Sequence, residues 1–408
     1  MSTDGHLSDH DRAAFARGAL TRRELLRRAG IAGGVVAGAG LLAACGSGSS
    51  SGATGGAPSA GPVSIDKTVA PSWTFSNWPL YIDTKNKTQH PSLDLFDKKY
   101  NTKTNYLEDI EDNESFFGKV KAQLEAGQNI QRDIVTLTDW MAAKWVALGY
   151  CEALDRSLIP NVEKNQSSAL RGRSIDPQDQ FLVPWQSGFT GIAYNPKLTG
   201  GDLTSVADLW NPDFKGKVTL LTEMRDTLGL VMLQQGVDPA KCTVDDAQSA
   251  CDYIQPYVNN GQIRRFTGND YAGDLAKGNV VACMGWSGDV VQLQFDNPDL
   301  KFVVPDKGGM LWTDNMMIPK NASHPYNAHL WMNFYYQPEI AAMVEDWVNY
   351  ICPVDGAKDA LLKNDPSIAK NPLIFPPQST LDNVHVFKAL TPQEDLEFNQ
   401  AFQQLIGG

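Results

Sequence analysis

The stretch GGMLWTDNMMIP, residues 308–319, reads as a buried strand with a charge set into it. Side chains alternate across a strand, so Trp312 and Asp314, two positions apart, fall on one face. A carboxylate among Leu, Met and Ile costs several kcal/mol unless a cation or a hydrogen-bond donor meets it. Either the fold or a ligand must supply that partner.

Outward from this run, strand-like and helix-like segments alternate, the pattern of an α/β protein with mainly parallel sheets. Strands are expected at 73–78, 104–107, 133–137, 191–194, 217–221, 280–284 and 302–304. Amphipathic helices are expected at 114–126, 138–148, 226–235, 269–277, 325–335 and 338–350, with one more in TVDDAQSACDYIQ that Thr243 can cap. Ligands of open α/β sheets sit beyond the carboxyl ends of strands. The residues there are Trp78 and Tyr81, Thr138 and Trp140, Glu223 and Asp226, Trp286 and Asp289, with Trp312 and Asp314 in the run itself. Aromatics and carboxylates recur and Arg and Lys are scarce, which suits an organic cation: ring faces attract ammonium groups and carboxylates hydrogen-bond them. Taken singly, each of these Trp residues is as readily core or rim, and Asp226 as readily a helix cap.

The N-terminus points to export. Thr21-Arg22-Arg23-Glu24-Leu25-Leu26-Arg27 precedes an apolar, Gly-rich stretch at 29–44, the form of a twin-arginine signal. That stretch is shorter than the roughly twenty residues a helical span needs. It ends in Leu42-Ala43-Ala44-Cys45-Gly46, a bacterial lipobox, so residues 1–45 are expected to be a lipoprotein signal peptide, with Cys45 the lipidated residue and the new N-terminus. Residues 46–62, almost all Gly, Ser, Ala and Pro, form a flexible tether.

The remaining chain is too long for one ordinary core and suggests two domains or lobes. The chain carries a net charge of −12, and residues 1–45 hold six arginines against four acids, which leaves −14 for the rest. That balance disfavours nucleic acid and anionic lipid and is compatible with a cationic ligand. Beyond Cys45, the chain has Cys151, Cys242, Cys251, Cys283 and Cys352, and no pair has C-x-x-C spacing. In an exported protein a disulfide is the expected use, with Cys242 and Cys251 the nearest pair.

Catalytic signatures are poor. Gly285-Trp286-Ser287-Gly288 has its second glycine one position early for a nucleophile elbow. The six histidines show no metal spacing, and Phe214-Lys215-Gly216-Lys217 lacks the leading Gly and the hydroxyl of a phosphate loop. A secreted hydrolase using Ser287 or the acid pairs is the competing class. Turnover of generic ester or glycoside substrates, lost in Ser287→Ala or Glu223→Gln, would mark it.

Asn77-Trp78-Pro79-Leu80-Tyr81, residues 208–216 (DLWNPDFKG), Cys283-Met284-Gly285-Trp286-Ser287-Gly288 and Leu311-Trp312-Thr313-Asp314 resemble segments of the spermidine/putrescine-binding proteins of bacterial ABC importers, in order from about Trp73 onward. The resemblance implies a two-lobed α/β fold of the type II periplasmic-binding-protein kind, with the ligand in the cleft between lobes. Lobe 1 is expected to be 63–190 with 315–360, and lobe 2 to be 191–314 with 361–408.

By the same resemblance, Trp78 and Tyr81 line one wall, Thr138 stands where the family has a serine, and Trp140 replaces a tyrosine. Glu223 and Asp226 receive one amine, Trp286 and Trp312 clamp the methylene chain, Asp314 takes the other amine, and Tyr350 is a binding tyrosine. The family's C-terminal glutamine contact has no match in 387–398. The implied protein is not an enzyme and uses no cofactor or metal. It is a lipid-anchored monomer that binds putrescine or spermidine and delivers it to a permease and its ATPase, with no nucleic-acid partner. Another organic cation or an amino compound is the alternative ligand.

Overall fold

The computed structural model describes residues 65–85, 89–110 and 112–407. The signal peptide, the lipidation site Cys45 and the tether lie outside the described residues. No helix among the described residues is long and apolar enough to cross a membrane.

Among the described residues ten strands form one sheet: β1 (Trp73–Asn77), β2 (Thr104–Glu108), β3 (Ile134–Thr138), β4 (Val183–Tyr194), β5 (Val218–Leu221), β6 (Ile263–Thr267), β7 (Ala282–Trp286), β8 (Lys301–Val303), β9 (Gly309–Met317) and β10 (Val384–His385). The order is β2-β1-β3-β9-β4-β7-β5-β6, with β10 on β9 and β8 on β4. At one end β1 runs parallel to β2 and β3, and at the other β5 runs parallel to β6 and β7. The middle is antiparallel, because β9 pairs with β3 and β4, and β4 pairs with β7. The sheet is thus two parallel wings joined by two antiparallel strands, more mixed than the alternation alone suggests.

The apolar packing follows the wings. One core draws on residues from Ile192 to Met310 and on Phe398, Phe402 and Leu405 of the C-terminal helix Pro392–Gly407. Two others join residues from Trp73 to Trp185 with residues from Met316 to Ala357. β4 and β9 pass from one side to the other, and all twelve residues of β4 are buried.

Helix ends obey local chemistry. Thr243 caps the helix Val244–Asn259, accepting from the Asp246 amide at 3.3 Å while the Asp246 carboxylate accepts from the Thr243 amide at 2.8 Å. That cap corrects the expected disulfide, since Cys242 and Cys251 are both free and buried. Cys242 precedes the cap and Cys251 lies two turns into the helix, roughly 12 Å along the axis at about 1.5 Å per residue. A disulfide needs Cα atoms about 4.4–6.8 Å apart. Cys242 Sγ instead donates to the Pro239 carbonyl at 3.4 Å.

Candidate functional site

The wings place their strand ends around one cavity of about 1160 Å³. All ten expected ligand residues line it: Trp78, Tyr81, Thr138, Trp140, Glu223, Asp226, Trp286, Trp312, Asp314 and Tyr350. Trp78 follows β1, Thr138 ends β3 and Trp286 ends β7. Tyr350 arrives differently: Asn349 closes the helix Pro338–Val348 in the left-handed region (φ 59°), which Asn tolerates, and Ile351 N then donates to the Ser187 carbonyl at 2.7 Å.

Two glycines make room for that ring. A Cβ on Gly188 would sit 2.4 Å from Trp312 Cζ2 and 2.9 Å from Tyr350 Cδ1, and one on Gly288 would sit 2.5 Å from Tyr350 Cε2. The Tyr350 ring therefore stands 5.4 Å from that of Trp312 and 5.6 Å, edge-on, from that of Tyr81. The neighbouring Ser287 is fully buried and its Oγ accepts from Phe189 N at 3.2 Å. A serine so engaged is no exposed nucleophile.

The fold does supply partners for Asp314. Tyr81 Oη donates to Oδ2 at 2.8 Å and Thr138 Oγ1 donates to Oδ1 at 2.7 Å, with Thr138 oriented by Asn113 Nδ2 at 2.9 Å. Both donors are neutral. Burial pushes the Asp314 carboxyl up to about 7, the two hydroxyls oppose that, and Asp139 and Asp226 add to it.

Across the cavity, Asp226 Oδ2 accepts from Trp286 Nε1 at 2.7 Å, and burial raises this carboxyl to about 6. Glu223, not Asp226, caps the helix Met224–Gln234 by accepting from Arg225 N at 3.3 Å. Burial lifts Glu223 to about 8 even with Arg225 opposing it. The Arg225 guanidinium lies 3.8 Å from the centre of the Trp140 ring, 4.0 Å from Glu223 Oε1, and donates to Asp395 Oδ1 at 2.6 Å. Trp140 and Glu223 thus each meet a cation of the chain's own.

Three groups on the wall stand outside the expected ligand set. Asp289 is buried on the wall and accepts from Tyr350 and Tyr271 hydroxyls and from Asn269, each at 3.0 Å. Its position beyond the carboxyl end of β7 singles it out in sequence beside Trp286, but only the ring was expected to touch ligand. Arg173 also lines the wall, paired with Asp139 and Asn315. Residues 386–389 reach the cavity from the C-terminal side, where sequence matching found nothing. No cluster of His, Cys, Asp or Glu fit to hold a metal occurs among the described residues.

Residues 93–376 match the family model of the bacterial extracellular solute-binding proteins. The chain belongs to that family. It is 29% identical to spermidine/putrescine-binding periplasmic protein 1 of Haemophilus influenzae over 294 residues, 72% of this chain and 79% of the relative. It is 26% identical over 354 residues to the putrescine-binding periplasmic protein SpuD of Pseudomonas aeruginosa, covering 81% of this chain and 91% of SpuD. Among solved structures, the spermidine/putrescine substrate-binding protein PotD of Streptococcus pneumoniae aligns with a TM-score of 0.69 at 24% identity, over 82% of this chain and 98% of that one. The TpPotD lipoprotein of Treponema pallidum aligns at 0.71 and 19% identity, over 83% and 100%. The fold is the two-lobed, type II periplasmic-binding-protein architecture.

Proposed function

We propose that this chain is the solute receptor of an ABC importer and captures a polyamine of the putrescine and spermidine class outside the cytoplasm. The observation that carries this reading is the pair Asp314 and Asp226, buried across one cavity among indole and phenol rings and held by neutral donors. An ammonium at each would replace weak solvation with a charge-assisted hydrogen bond, while Trp78, Tyr81, Trp286, Trp312 and Tyr350 cover the methylenes. Lobes divided as 63–190 with 315–360 and 191–314 with 361–408 close on the ligand, and the bound amine passes unaltered to a permease and its ATPase. The receptor works as a monomer, tethered by a lipid on Cys45.

Calorimetric titration with putrescine and spermidine, against a sugar and a dipeptide, tests the reading. Saturable heat with the amines alone supports it, and heat only with the neutral solutes sinks it. The anchor has its own test: Cys45→Ser removes the thiol that forms the thioether, and each buried acyl methylene contributes about 0.8 kcal/mol to membrane retention. The variant is expected in the soluble fraction, and unchanged membrane retention refutes the anchor.

A further inference from the structure

A chain of four charges, Glu114, Lys144, Asp395 and Arg225, crosses from one wing of the molecule to the other at the mouth of the cleft. On one side Lys144 belongs to the helix Asp139–Ala147, whose Met141, Ala142 and Trp145 share a core with Phe117. Its Nζ meets Glu114 Oε1 at 3.1 Å and stands 5.1 Å from the centre of the Phe117 ring. On the other side Asp395 lies in the first turn of the helix Pro392–Gly407, whose Phe398, Phe402 and Leu405 pack in the core that runs from Ile192 to Met310. Asp395 Oδ1 accepts from Arg225 at 2.6 Å and from Asn399 Nδ2 at 3.2 Å, which fixes the carboxylate to its own wing. Oδ2 faces across, and there Lys144 Nζ donates to it at 3.3 Å over 251 positions of sequence. Trp140 and Arg225 edge the cavity, whereas Glu114, Lys144 and Asp395 lie outside its lining.

We propose that Lys144 and Asp395 form an ion-pair latch between the lobes, which sets how fast ligand enters and leaves without setting how tightly it binds. The inference rests on the receptor reading above and adds a regulation of that site. A lone surface ion pair contributes little, partly because two long side chains must be ordered to make it. Here both partners are half-buried and each is already held by its own lobe, so the crossing contact orders nothing new. When the lobes part, Lys144 keeps Glu114 and Asp395 keeps Arg225, and no charge is stranded. No latch group touches the ligand, so the pair stabilises the closed state equally with and without it. A contribution common to both closed states cancels from the affinity once both are well populated, and stays in the barrier to opening. Glu114 works against the latch. It is a like charge that closure brings toward Asp395, and it offers Lys144 a partner in the open state.

Stopped-flow exchange of putrescine, with small-angle scattering of the ligand-free protein, tests the latch on the wild type, Lys144→Gln and Glu114→Gln. Both substitutions fall on side chains that reach solvent, 29% and 42% exposed, so folding is not at stake. Lys144→Gln should raise the association and release rates together, about threefold each, and leave the dissociation constant within about twofold. Glu114→Gln should slow both rates, by about twofold. The opposite signs are the diagnostic. A lysine that merely braces its own helix against Glu114 would lose the same contact in both variants and move the rates the same way, which overturns the latch. So does a Lys144→Gln protein that loses affinity while its association rate stays put. In scattering, ligand-free Lys144→Gln should have a larger radius of gyration than the wild type, and equal radii refute the inference. A wild type that takes up no putrescine removes the polyamine reading, and the comparison of radii then decides the latch by itself.

Discussion

The two carboxylate ends of the cavity look alike in sequence and differ in physics. Asp314 sits in mid-strand on β9, where its side-chain partners are the hydroxyls of Tyr81 and Thr138. Asp226 sits in the first turn of the helix Met224–Gln234, where the helix N-terminus favours negative charge and Arg225 is its neighbour. The fold therefore stabilises the anion at one end and leaves the other undercompensated. An undercompensated, buried acid is where a ligand cation gains most.

The largest test of that contrast is Asp314→Asn. Breaking a fully buried pair costs about 3–5 kcal/mol, and water moderates this in a cleft, so a loss of about 2 kcal/mol, roughly thirtyfold in putrescine affinity, is expected. The ligand-free melting temperature should hardly fall, because an ionised buried acid is removed. If instead the melting temperature drops and affinity survives, Asp314 serves the fold through Tyr81 and Thr138. Both quantities are to be measured on the same variant.

Next in size comes pH. Asp314 titrates near 7 and Asp226 near 6 in the folded, ligand-free chain, both raised by burial. An ammonium pairs with the ionised acid, so putrescine affinity should fall about tenfold between pH 8 and pH 6, with protons released on binding at pH 7. Ligand-free stability has the opposite sign. A carboxyl whose folded pKa is raised holds its proton when the unfolded chain has lost it, so stability falls as pH rises from about 3.8 to about 7. Affinity that is flat or rising toward pH 6 contradicts the assignment.

A smaller effect is expected at the helix end. Asp226→Asn should weaken putrescine by about 1 kcal/mol, roughly fivefold, because the helix N-terminus and Arg225 already compensate the Asp226 anion and a ligand ammonium gains less there than at Asp314. A loss larger than that of Asp314→Asn would invert the contrast between the two ends.

What could be read from sequence was the set of side chains that chemistry requires, and not what the fold pairs them with. Strand-end position and residue type pointed to nine of the ten site residues, the family resemblance supplied Tyr350, and all ten line one cavity. The partners of Arg225 were hidden, because Asp395 lies 170 positions away and the other is the ring face of Trp140. β4 was legible only over 191–194, since Gln186, Ser187 and Thr190 read as exposed. They are buried because β9 and the chain around Ile351 supply their partners, as with Ser187 Oγ and Thr313 Oγ1 at 2.8 Å. β6, an edge strand with Arg264 and Arg265 exposed, shows no apolar alternation and was not seen.

The smallest expected effect sharpens the Asp314 end. Thr138 Oγ1 donates to Asp314 and accepts from Asn113, so Thr138→Val removes one of two hydroxyls that favour the ionised acid. Tyr81 remains, and one net hydrogen bond is worth about 0.5–1 kcal/mol, so putrescine affinity at pH 8 should fall roughly threefold. The diagnostic readout is the pH profile. With one fewer donor the Asp314 carboxyl rises further, and the midpoint of the affinity loss must move to higher pH. Thr138→Ser, which keeps the hydroxyl, should recover most of both changes. A Thr138→Val protein with weaker binding and an unmoved midpoint would mean that the hydroxyl acts on the shape of the cavity, and that the acid at this end owes its poise to burial and Tyr81 alone.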